Sequence, residues 1–315
     1  MTTAGTLEAA RPVSRRLAAR RPRYGEKAIK AVLAGCAYLS VGTTIAIVLA
    51  LLVPTIEFFR DVSIVEFFTS TVWSPLFADP EFGVLPLLTA TLVITGTALA
   101  LAIPVGLLSA IYLSEYARPR VRNIVKPTLE LLAGIPTVVY GFFALTFVTP
   151  IIQDLWPFGD PPGIFNAASA GLVMGVMIVP TIASLSEDAM TAVPQSLREG
   201  SFALGGTRLT TSLRVVFPAA LSGIVAAVVL GISRAVGETM IVLIAAGGTP
   251  NLSFDPGEAM QTMTAFIAAA GIGDQPTGSV GYKTIFAVGT TLFAATFLMN
   301  LLSVRLVRRY RQVYQ

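Results

Sequence analysis

The chain has 315 residues, of which 54% are hydrophobic and only 13% charged, with a mean hydropathy of +0.74. A soluble domain carries about 25% charged residues, so this composition excludes a soluble enzyme and implies an integral membrane protein. The formal charge of +4 comes from basic residues clustered between apolar segments, which suits an inner-leaflet surface and gives no reason to expect nucleic acid as a partner.

Residues 1–27 read as a basic, Pro-containing tail. Arg15-Arg16 and Arg20-Arg21 hint at a twin-arginine signal, and Leu33-Ala34-Gly35-Cys36 matches a lipoprotein cleavage box. A cleavage box must follow an apolar stretch, whereas Cys36 stands near the start of one, so the first span reads as an uncleaved anchor. Residues 28–82 hold that span, Ala31–Ile56, and an outward segment, DVSIVEFFTSTVWSPLFADPEFG. The segment is too long for a hairpin connection, and its aromatics predict a short helix at the membrane interface, packed on the bundle. Trp73 here and Trp156 further on stand where interface anchors would.

Residues 83–310 read as a five-span core. A helix needs about 20 apolar residues to cross a bilayer. The uncharged windows Phe82–Ser114, Leu131–Gln153, Ile164–Ser186 and Thr284–Val304 each satisfy that, and another span runs from about Ala219 to Ala246. Alternating lipid-facing residues, as in a membrane barrel, are missing, so the fold is all-α with six spans. Pro86, Pro104, Pro136 and Pro180 fall in spans, where prolines bend helices and free carbonyls. Small residues, including Gly171, Gly175, Gly223 and Gly231, permit close helix approach.

Between the fourth and fifth spans lies a polar loop, residues 190–218, containing EGSFALGGTRLTTSLRVVFPAAL from Glu199 to Leu221. Leu197–Leu204 predicts one short amphipathic helix. Gly205-Gly206 permits a sharp turn, Thr207 or Thr210 can cap a second short helix through Ser212–Val216, and Pro218 precedes the next span. Two short helices at an angle form a knob suited to a groove in a soluble partner.

The fifth span alone carries charge, in Ser233-Arg234-Ala235-Val236-Gly237-Glu238-Thr239. An Arg at mid-membrane costs about 2.5–3.5 kcal/mol on insertion scales, so it faces a cavity or a partner. Arg234 and Glu238 are four apart, so they lie on one helix face and can pair. Guanidinium presents a planar fork suited to tetrahedral oxyanions. A carboxylate beside it repels a plain dianion and accepts a hydrogen bond from protonated phosphate, although a Glu that only holds Arg234 would read the same way.

The basic residues orient the chain. All of the 22 Lys and Arg except Arg60, Arg234 and Lys283 fall before the first span, in Arg118–Lys126, in Arg198–Arg214 or in Arg305–Arg311. By the positive-inside rule both termini and the polar loop are cytoplasmic. Cys36 is the only cysteine and there is no His, so no disulfide or common metal site is expected. A P-loop is missing too, so the chain is not expected to hydrolyse ATP.

The polar loop resembles the "EAA" coupling loop of ABC importer permeases, with Glu199-Gly200-Ser201 for Glu-Ala-Ala, then Gly205, and Val216-Phe217-Pro218 at the close. Gly200 and Ser201 depart from the pattern by small-for-small exchange. RAVGET, FFTSTVWSP, GVLPLLTATL, AIPVGLLSAIYLSEYA and ELLAGIPTVVYGFFAL are together similar to the PstC-type permease of the phosphate-specific ABC importer, from about residue 30 onward. That resemblance implies a type I ABC importer permease in the bacterial inner membrane. It implies a heterodimer with a PstA-type permease, two PstB-type ATPases that use ATP and Mg, and a PstS-type phosphate-binding protein. Arg234 and Glu238, with Ser233 and Thr239 beside them, become the substrate-path residues. A permease for sulfate, molybdate or phosphonate would share the coupling loop, and the RAVGET segment is what separates them. A self-contained secondary transporter would show more buried ionisable groups and a second half.

Overall fold

The computed structural model describes residues 24–310, apart from Ala78 and Phe158. Most of the expected basic tail, including both arginine pairs, lies outside the described residues, as does Arg311. The chain divides into two compact units, Met1–Ala50 and Leu51–Gln315. The described part of the first is one helix, α1 (Tyr24–Asp61), which runs on into the second. Its residues are exposed almost throughout before Ala50, as suits an apolar helix in lipid. Thr43 and Thr44 return their hydroxyls to the carbonyls of Leu39 and Ser40 at 2.8 and 3.0 Å, so neither polar group is left unsatisfied there.

In the second unit the outward segment forms α2 (Ile64–Thr69), followed by an antiparallel bridge between Trp73 and Phe82. The expected short helix is therefore present. Phe58, Phe67, Trp73 and Phe82 bury their rings together, and Trp73 meets Phe266 edge-on at 4.9 Å. Trp73 is only 3% exposed. It is a core residue instead of an interface anchor, because this ring-lined pocket removes more apolar area from water than the interface would.

The core is built on α3 (Leu85–Ile111) and α7 (Ala167–Thr191). Ala90, Ile94, Ala98 and Ala102, spaced by four, give α3 a buried face made mostly of alanine. α7 answers with Gly171 and Gly175. A Cβ on Gly175 would stand 2.8 Å from the Ala98 carbonyl oxygen, so only glycine lets the two backbones approach this closely. A π turn at Tyr112–Tyr116 extends α3. Then α4 (Pro119–Ala133) runs along the end of the bundle with no buried residue. The expected span Leu131–Gln153 is interrupted at Gly134-Ile135-Pro136. Proline disfavours helix at the residue before it, so the span begins only at Thr137, as α5 (Thr137–Phe143), a π turn and α6 (Thr149–Leu155).

The polar loop folds as α8 (Gln195–Ala203), α9 (Arg208–Thr211), a π turn and α10 (Phe217–Ala219). The chain then bends by 73° into α11 (Leu221–Val236). The expected span to Ala246 stops at Val236 and resumes as α12 (Met240–Ala245). α13 (Met263–Ile272) is short, and α14 (Val280–Tyr310) closes the chain. Among the described residues five helices are long and apolar enough to cross a membrane, and the bent pair ending in α11 makes six.

Candidate functional site

The charged segment lies at the break between α11 and α12, and the break has a local cause. Glu238, 8% exposed, turns its carboxylate onto the start of α12. Its Oε1 accepts from the Met240 and Ile241 N–H groups at 3.1 and 3.4 Å. A carboxylate at a helix N-terminus satisfies orphan amides and complements the dipole. The Glu238 carbonyl, freed from helical pairing, accepts from Thr264 Oγ1 at 2.7 Å. Thr239 donates to the Gly237 carbonyl at 3.3 Å and tightens the turn.

Arg234 stands one turn earlier on α11, partly buried. Its Nη1 donates to Thr181 Oγ1 on α7 at 3.3 Å. Among the described residues no ion pair joins it to any carboxylate. The Arg234–Glu238 pair expected from their spacing is not made, because the helix ends between them and Glu238 serves α12 instead. Ser233 is also drawn away, donating to Asn300 Oδ1 on α14 at 3.2 Å. Of the four residues only Arg234 keeps most of its donors unengaged. A guanidinium held by one neutral hydroxyl retains donors with which it can bind an anion.

The polar loop ends its first helix in a Schellman turn. Gly205 has φ +83°, its N–H donates to the Phe202 carbonyl, and the Gly206 N–H donates to the Ser201 carbonyl at 2.9 Å. That pairing closes α8 in the left-handed conformation glycine favours. Gly206 is also required by space, since a Cβ there would stand 2.6 Å from Ser201 Oγ. Thr207 caps α9 by accepting from the Thr210 N–H, and Ser201 Oγ meets Thr211 Oγ1 at 2.8 Å, joining the two short helices. Glu199 and Gly200 are exposed on α8. Leu204 is 92% exposed, with Phe202 and Leu209 also open. Pro218 falls in α10, where the chain is about to bend. The knob expected from the two-helix pattern is present, with Glu199 on its open face and Ser201 inside it.

Residues 102–312 match the model of the family described as "Binding-protein-dependent transport system inner membrane component". The chain belongs to this family. It is an ABC importer permease subunit of the inner membrane. It is 38% identical over 274 residues to the probable ABC transporter permease protein YqgH of Bacillus subtilis (strain 168), covering 86% of this chain and 87% of the relative. It is 36% identical over 278 residues to the phosphate transport system permease protein PstC 1 of Mycobacterium tuberculosis, covering 78% and 82%. In structure it aligns with a chain of a bacterial alginate ABC transporter solved with an alginate pentasaccharide-bound periplasmic protein. The TM-score is 0.64 at 16% identity, over 91% of this chain and 96% of that one. At that identity the likeness establishes the shared type I permease fold.

Sequence reasoning missed how the permease ties its loop end together. Arg122 and Lys126 on α4 both pair with Glu187, which is fully buried on α7, and Lys126 also pairs with Asp188. Burial pulls the Lys126 pKa down, but hydrogen bonds to Asp188 and Glu187 outweigh it, so the ammonium is held above its usual value. Glu115, at the end of α3, pairs with Arg198 on α8 at 2.9 Å. The available signal was an acid directly after each apolar window: Glu115 follows Ser114, and Glu187 follows Ser186.

Proposed function

We propose that this permease subunit imports inorganic phosphate, with Arg234 binding the anion on the translocation path. The observation that carries the reading is the Arg234 guanidinium. It is partly buried near the break between two helices, and among the described residues it hydrogen-bonds the Thr181 hydroxyl and pairs with no carboxylate. A cation left so inside a membrane bundle costs several kcal/mol and calls for an anionic ligand. Relatives named as phosphate transport permeases support phosphate as that ligand. In this reading a PstA-type permease supplies the other half of the path and a PstS-type protein delivers phosphate. Two PstB-type ATPases, carrying the ATP and Mg, dock on the Glu199–Pro218 knob. The basic residues set both termini and the knob in the cytoplasm.

The test is uptake. A strain lacking its own phosphate importers is given the complete importer with or without this chain, and labelled phosphate, sulfate and molybdate are followed. Phosphate uptake that depends on the chain is the expected result. Chain-dependent uptake of sulfate or molybdate without phosphate would refute the assignment.

A further inference from the structure

One side chain reaches from α8 to the ends of both α3 and α7. α8 has no buried residue, and its apolar attachment is Leu197, leaning on the cluster around Met190, Val193 and Val216. Beside it Arg198 turns inward and is only 12% exposed. Its Nη2 donates to Glu115 Oε1 at 2.9 Å and to the Met190 carbonyl at 2.8 Å, and its Nη1 donates to the Val193 carbonyl at 2.6 Å. Met190 belongs to the last turn of α7, and Val193 lies just beyond it, where partial negative charge gathers. Glu115 ends α3 and is itself 9% exposed. One planar guanidinium thus holds three parts together: the knob, the end of α3 and the end of α7.

The other side of the knob is built differently. It leaves through α10 and the 73° bend at Ala220 into α11. A displacement of the knob is therefore taken up at a bent joint on the α11 side and by a rigid fork on the α3–α7 side. The two held helices share the glycine-mediated close contact of the core. α7 also carries Thr181, which holds Arg234. From Met190 back to Thr181 is about 13 Å of a single helix, at 1.5 Å per residue.

We infer that Arg198 is the positioning residue that carries motion of the coupling helix into α3 and α7, and through Thr181 to Arg234, with Glu115 as its anchor. The inference rests on the reading of the knob as the ATPase-docking element. Lysine is a poor replacement: its ammonium is a compact point charge on a flexible stem and lacks the rigid planar fork that spans Glu115 and the Met190 and Val193 carbonyls.

The test uses the complete importer, with its second permease, ATPases and binding protein, reconstituted as wild type and as Arg198→Lys. ATPase retention is measured by copurification. Hydrogen exchange of α3 and α7 is compared with and without ATP and vanadate, which hold the ATPases closed. Phosphate moved per ATP hydrolysed is the third readout. The expected result is that Arg198→Lys retains its ATPases but loses the closure-dependent change in exchange along α7. Transport per ATP should fall about tenfold, the scale of one lost charge-assisted hydrogen bond. Glu115→Gln, which keeps an acceptor and removes the charge, gives the same comparison if Arg198→Lys fails to assemble. A wild-type exchange response in the variants overturns the inference alone. So does a loss of transport that simply follows loss of ATPase from the complex. A wild-type complex that retains no ATPase overturns the docking reading and this inference with it. The exchange readout does not depend on which anion is carried.

Discussion

At the residue scale, two charged side chains four positions apart do different work. Among the described residues Arg234 hydrogen-bonds one neutral partner, the Thr181 hydroxyl, and in the proposed function its remaining donors serve the anion. Arg234→Lys keeps the charge and loses the fork. A bidentate contact to a charged group should weaken by about 1.5–3 kcal/mol, roughly a tenfold to hundredfold loss of phosphate uptake with the subunit still inserted. Uptake at the wild-type rate, or a loss that follows protein abundance, would leave Arg234 a packing residue. Glu238 is committed through Oε1 to two backbone amides of α12. Gln at this position keeps an acceptor there, so Glu238→Gln should change helix stability by about 0.3–1 kcal/mol at most. If the carboxylate also meets the anion, the substitution removes its repulsion of a full dianion. Phosphate flux should then fall and discrimination against sulfate should weaken. The comparison requires ATPase variants that act without the binding protein, because that protein filters the substrate first. Identical discrimination by the two forms would make Glu238 a helix cap alone and assign selectivity to the binding protein.

At the element scale, the polar loop takes its shape from local chemistry. Its turn depends on Gly205 in the left-handed region, and there a Cβ costs roughly 1–2 kcal/mol, with a β-branched residue worse placed than most. Nothing lies within 4 Å of the position a Cβ would take on Gly205, so the strain of Gly205→Val is conformational and leaves insertion of the spans untouched. The variant should reopen the angle between α8 and α9 and reduce binding-protein-stimulated ATPase activity in the purified complex. Full stimulation together with normal uptake would show that the angle is immaterial. The broken span illustrates the same economy. Gly237 and Glu238 end one helix and start another within three residues, and the freed Glu238 carbonyl is satisfied by Thr264, as a break inside lipid demands.

At the scale of the whole molecule, the charge pattern makes a claim about sidedness that can be measured directly. With Cys36→Ser removing the only cysteine, single cysteines at Glu199 and Asp160, both exposed, provide the probes. A membrane-impermeant maleimide should label Asp160→Cys on intact spheroplasts and Glu199→Cys only after the membrane is opened. The reverse pattern would invert the proposed topology and place the knob away from any cytoplasmic ATPase.

The membrane class, six spans, the two-helix knob with its glycine turn, and the singular charge in the fifth span were all readable in the sequence. Each rests on local patterning: long apolar windows, caps, glycine and a misplaced ion. What the sequence could not show was which groups meet across the fold. It suggested an Arg234–Glu238 pair because spacing assumes an unbroken helix, and the break depends on backbone amides of α12 competing for the same carboxylate. It suggested Trp73 as an interface anchor because only the folded chain brings Phe58, Phe67 and Phe266 around that ring. The Glu115–Arg198 and Glu187–Arg122–Lys126 links join residues more than 60 positions apart. Nothing in a one-dimensional pattern pairs such residues, and the packing of α3, α4, α7 and α8 alone brings them within reach.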